Sequence, residues 1–230
     1  MPIYTPLFTD TFHRANEAPL NPANYTNIVV AVGSELEVAS NVCAGDGTAA
    51  VGFEVYTGAA IPNAQYAELT VASYYNPSTG FGAVLAVIAR SDGTDQTTGY
   101  TAQLVGLGNG TSQLDLVVGT TINQSTIIST VNVGDVLRIE ALGTAITVKL
   151  NGAVKFTLTD ATYTSGKPGL EIQWDHVQSD TTVSLFTAGS IVSSGSGPQN
   201  VTVAPGQNFA TRITSPRTAV IGTNLGTKIL

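Results

Sequence analysis

The chain has 230 residues, 43% of them hydrophobic and only 11% charged, with a net charge of −7. Nine basic side chains cannot supply the clustered Lys and Arg that phosphate neutralisation requires, so a general nucleic-acid binder is excluded. One cysteine excludes an intrachain disulfide, and Cys43 reads as a small buried hydrophobe.

The opening, MPIYTPLFTDTFHRANEAPL, has neither a basic n-region nor an apolar h-region, so no secretory signal is read. Strand-like runs follow near 7–12, 27–31, 35–40, 49–56, 65–74, 81–90, 99–106, 112–118, 124–130, 136–141, 145–150, 153–158, 168–174 and 181–188. They are rich in Val, Ile, Thr and Tyr, with turn residues between them at sandwich-like spacing. No stretch keeps a 3.6 period over 11 residues, so almost no helix is expected. The apolar run 82–89 has strand length and is no membrane span. At 146–158, Asn151-Gly152 sits between alternating runs and predicts a two-residue type I′ hairpin. That register sets Leu150 against Ala153, Val148 against Lys155 and Thr147 against Phe156. SSGSGP (193–198) reads as a flexible linker.

Charge divides the chain. All sixteen carboxylates lie at or before Asp180, so residues 1–189 carry about −10 and residues 190–230 carry +3 from Arg212, Arg217 and Lys228. The expected organisation is a β-sandwich over 1–189, a linker over 190–198, and a basic docking arm over 199–230. Arg212, Arg217, Lys228, Phe209 and Leu230 are its expected anchoring residues.

With the strands placed, a resemblance emerges. LFTDTFHRANEAPLNPANY resembles the D-F-x-R-(A/S)-(D/N)-x-x-(P/L)-L opening of bacterial and phage concanavalin A-like (laminin G-like) jelly-roll domains. VLAVIARSDG with GYTAQLV resembles a later strand pair. VGDVLRIEALGTAITVKLNGAVKFTLTDATYTSGKPGLEI resembles the most specific block, and TTVSLFTAG the closing strand. The match covers about 7–189. It implies an all-β fold, a two-sheet antiparallel jelly-roll sandwich with an extended C-terminal arm. The family spans lectins, carbohydrate-binding modules, glycosidase domains and phage appendages, so fold does not fix function.

Tests for chemistry narrow the choice. Glycosidases of this fold carry paired carboxylates in an E-x-D-x-x-E strand pattern, which is absent here. Glu35 and Glu37 share a strand face but read as a solvated edge. His13 and His176 are too few and too far apart for zinc. SDGTD (91–95) and AGDG (44–47) are calcium candidates set against ordinary turn chemistry. No cofactor is expected otherwise, and no enzymatic activity. Glycan binding needs an aromatic platform with polar partners. Tyr74, Tyr75, Asn76, Tyr100, Gln103, Trp174, Asp175 and His176 supply the types, with Tyr74, Tyr75, Tyr100, Trp174 and Asp175 as the chosen ligand residues. The leading expectation is a non-enzymatic display protein of a larger assembly, a phage virion component made in the cytoplasm and released by lysis. Its expected partners are subunits of that assembly, either further copies of itself or a capsid or tail protein, with neither nucleic acid nor membrane. The alternative is a carbohydrate-binding module or lectin for surface or matrix polysaccharide.

Overall fold

A computed structural model describes residues 1–28, 35–45, 51–77, 82–95, 97–173 and 180–193. They form fifteen strands: β1 (Pro2–Asp10), β2 (Tyr25–Asn27), β3 (Leu36–Ala39), β4 (Val42–Gly45), β5 (Val51–Tyr56), β6 (Gln65–Ser73), β7 (Val84–Ser91), β8 (Tyr100–Gly106), β9 (Ser112–Val118), β10 (Thr121–Ile128), β11 (Val136–Leu142), β12 (Ala145–Leu150), β13 (Ala153–Thr159), β14 (Lys167–Gln173) and β15 (Thr182–Ser193). No α-helix occurs among the described residues. Residues 190–193 of the expected linker belong to β15, while the rest of the linker and the arm, including Phe209, Arg212, Arg217, Lys228 and Leu230, lie outside the described residues.

One sheet has eight strands in the order β13-β12-β11-β6-β15-β4-β3, with β1 added against β15. The other has seven, β10-β9-β8-β7-β14-β5-β2. Every pairing is antiparallel, as a jelly-roll sandwich requires. Strand alternation explains the core: Leu69, Val71, Leu137, Ile139 and Phe186 point inward from the first sheet. Leu85, Val87, Tyr100, Leu104, Leu116 and Ile172 meet them from the second. Each buried side chain of this size contributes about 1.5–3 kcal/mol.

The opening motif acts as a clamp. Asp10 accepts from the Phe12 amide (2.8 Å), from Arg14 Nη1 (2.5 Å) and from the buried Tyr25 hydroxyl (3.0 Å). Arg14 also donates to Glu17 (2.9 Å through Nε). Charge-assisted bonds of this kind fix the loop that leads from β1 toward β2.

The hairpin at Asn151-Gly152 forms with positive φ at both residues (52° and 76°). Its register follows expectation for Leu150 with Ala153 and Lys149 with Val154, then shifts by one. Phe156 therefore pairs with Val148, not Thr147. The bulge turns Phe156 into the core beside Val148, where a strict two-residue register would have left it on the polar face. The strand β4 was not expected from the sequence. It follows a tight turn at Ser40-Asn41, where both residues hold positive φ. Part of the calcium candidate AGDG is thereby strand, because Ala44 and Gly45 belong to β4, and the remainder lies outside the described residues.

Candidate functional site

The outer face of the seven-stranded sheet carries polar side chains in register. One transverse row runs Phe53, Glu171, Ala86, Gln103, Asp115, Ser125 across β5, β14, β7, β8, β9 and β10. Alternation creates it: in β8 the residues Tyr100, Ala102 and Leu104 face the core, so Thr101 and Gln103 face outward. The same rule turns Gln113 and Asp115 outward from β9, and Glu171 and Gln173 from β14. A depression of about 190 Å³ opens here, lined by Thr97, Thr101, Gln103, Val117, Gly119, Thr120, Glu171 and Gln173.

The hydrogen bonds of this face are carboxylate-to-amide. Asp115, which is buried, accepts from Gln103 Nε2 through Oδ2 (3.0 Å) and from Gln113 Nε2 through Oδ1 (2.8 Å). Glu171 Oε1 accepts from Gln173 Nε2 (2.8 Å). Burial pushes the Glu171 carboxyl up from the ordinary range, against the opposing effect of the Gln173 amide.

The aromatic residues expected to bind ligand are placed otherwise. Tyr100 is fully buried: its hydroxyl donates to Asp160 (2.7 Å) and accepts from the Tyr163 amide (3.1 Å). It is a core residue, because its position in β8 falls on the inward phase. Tyr74 packs against the core half-buried, and its hydroxyl donates to the Ala83 carbonyl (3.1 Å). Burial pushes its phenol well up. Tyr75 is half-buried, and its backbone amide donates to Thr181 Oγ1 (3.1 Å). Trp174 and Asp175 lie outside the described residues. Of the polar types singled out, Gln103 stands in the site and Asn76 does not; the Asn76 amide donates to the Thr111 carbonyl and to Ser112. Glu171, Asp115, Thr101, Gln113 and Gln173 were not selected from the sequence. The signal for them was polar residues at alternate positions in three strands whose inward phase is apolar.

In the run 91–95 the aspartates bond to threonines. Asp92 accepts from the Thr94 amide and hydroxyl and from Thr98 (2.8, 2.7 and 2.8 Å), and these bonds hold its carboxyl below the usual range. Asp95 accepts from the Thr97 amide (2.7 Å). Cys43 is fully buried, and burial raises its thiol well above the ordinary value, an unreactive setting.

No family model and no curated protein matches the chain. Solved structures do. The laminarinase from Rhodothermus marinus superposes with a TM-score of 0.56 at 14% identity, over 84% of this chain and 99% of its own. A β-glucanase from Bacillus licheniformis gives 0.53 at 12% identity, over 80% and 97%. The chain thus has the concanavalin A-like jelly-roll fold. A non-specific endo-β-1,3(4)-glucanase of family GH16 gives 0.56 at 8%, over 80% and 94%. These enzymes correct the expectation that the chain lacks enzymatic activity. That expectation rested on a missing carboxylate pattern. Nothing in the comparisons supports a virion or capsid role, which rested on the charge split together with the missing signal and active-site patterns.

Proposed function

We propose that the chain recognises polysaccharide through the outer face of its seven-stranded sheet. The observation that carries this reading is the depression on this face, where Thr101, Gln103, Glu171 and Gln173 converge. A few placed polar groups in a concave setting are what fix a ligand's orientation. The fold it shares with glucanases and a laminarinase supports carbohydrate as the ligand class. Hydroxyl groups, each both donor and acceptor, suit the mixture of amides, hydroxyls and a carboxyl found there.

Affinity electrophoresis through gels containing soluble polysaccharides tests this. At least one polymer is expected to retard the wild-type chain, and Gln103→Ala or Glu171→Ala to relieve the retardation by tenfold or more. Equal retardation of wild type and both variants would remove the site from the account. Release of reducing ends from the same polymer reports any cleavage.

A further inference from the structure

We infer that the polysaccharides taken by this face are uncharged, and that polymers bearing sulfate or carboxylate groups are rejected. The inference rests on the polysaccharide-binding reading and adds its chemical class. A carboxylate oxygen only accepts hydrogen bonds, so each amide bonded to one turns its nitrogen toward it. Asp115 holds Gln103 and Gln113 in that sense, and Glu171 holds Gln173. The two amides that line the depression, Gln103 and Gln173, therefore direct their carbonyl oxygens away from the carboxyl groups, where a ligand donor can meet them. A sugar hydroxyl supplies one; a sulfate or an ionised carboxylate has none to give.

Charge points the same way. Among the described residues that line the depression there is neither Lys nor Arg, while Glu171 is one of them. Gln173 donates to the Glu171 carboxyl through Oε1. An anionic substituent would have to shed water there without a cation to pair with. The two cations on neighbouring strands are committed elsewhere. Arg90 donates to the carbonyls of Asn63, Gly143 and Tyr163 (3.0, 2.8 and 2.9 Å). Lys167 lines a separate depression with Tyr56, Ile61 and Pro168. Arg90 owes its diversion to a positive φ of 59°, which takes its side chain off the outward phase of β7.

The experiment compares an uncharged polymer with its own anionic derivative. Wild-type chain is titrated with soluble uncharged glucans, mannans and fructans, then with the carboxymethylated form of whichever binds, and with alginate and heparin. The derivative is expected to bind at least tenfold more weakly. Gln173→Lys, which places a cation at the rim, is expected to narrow that gap at least threefold; an unchanged gap would trace the rejection to the overall negative charge and overturn its assignment to this face. Equal or tighter binding of the derivative, or binding confined to alginate or heparin, overturns the inference and leaves polysaccharide recognition standing. Failure of every polymer overturns both.

Discussion

The two outer faces of the sandwich are built by the same alternation and end in opposite states. On the eight-stranded sheet, Lys149, Arg138 and Glu68 stand in register, with Glu140 and Tyr66 in the adjoining row. Arg138 bonds Glu68 (2.6 Å) and lies 3.7 Å from Glu140, and Lys149 bonds Glu140 (2.6 Å) and the Tyr4 hydroxyl (2.9 Å). Tyr4 in turn donates to Glu140 (3.0 Å), and the Arg138 guanidinium lies over the rings of both Tyr4 and Tyr66. Glu68, Arg138, Glu140 and Lys149 each have an opposite charge beside them. On the seven-stranded sheet, among the described residues, Asp115 accepts from the Gln103 and Gln113 amides and Glu171 from the Gln173 amide, with no cation bonded to either. A polar row closed on itself stabilises the fold, whereas a row left short of donors is equipped for a ligand.

The strongest perturbation of the closed face is steric. A Cβ at Gly189 would collide with the Thr5 carbonyl oxygen and meet the Tyr66 ring at 2.8 Å. Gly189→Ala is expected to cost about 4 kcal/mol by displacing β1, measured by denaturant unfolding. Arg138→Met removes the cation shared by Glu68 and Glu140 and is expected to cost about 2 kcal/mol without changing polysaccharide affinity. An affinity change there would erase the distinction between the faces.

Between the sheets, burial pushes the Glu54 carboxyl up to about 8 from its ordinary 4.5, although the Leu36 amide donates to it (3.3 Å). The folded state then holds a proton that the unfolded state has lost between those two values. Stability should fall as pH rises from about 4.5 to about 8 and level off above. Glu54→Gln keeps an acceptor for Leu36 and should flatten that slope, gaining on the order of 2 kcal/mol near pH 8. A slope that persists in the variant would locate the proton elsewhere. The smallest effect belongs to Tyr100→Phe. It loses the bonds to Asp160 and Tyr163, about 1 kcal/mol, and leaves affinity intact, because the ring faces the core.

Particular residues show what the sequence discloses. Asn151-Gly152 announces its turn because both positions need positive φ. The bulge that moves Phe156 inward has no such signature, and neither does the Ser40-Asn41 turn that creates β4, since serine is a poor marker of that conformation. The site was half legible. Thr101 and Gln103 alternate with Tyr100, Ala102 and Leu104, so phase alone separates the outward pair from the buried tyrosine. That Gln103 meets Asp115, and that Glu171 stands one strand beyond Ala86, depends on registers across four strands that no local pattern encodes.

The most direct measurement sets the two faces against each other on one ligand. Binding of a soluble uncharged polysaccharide is titrated by calorimetry into wild type, Gln103→Ala and Arg138→Met. The account predicts at least a tenfold loss for Gln103→Ala and wild-type affinity for Arg138→Met. Equal affinities in all three, or a loss confined to Arg138→Met, would contradict it.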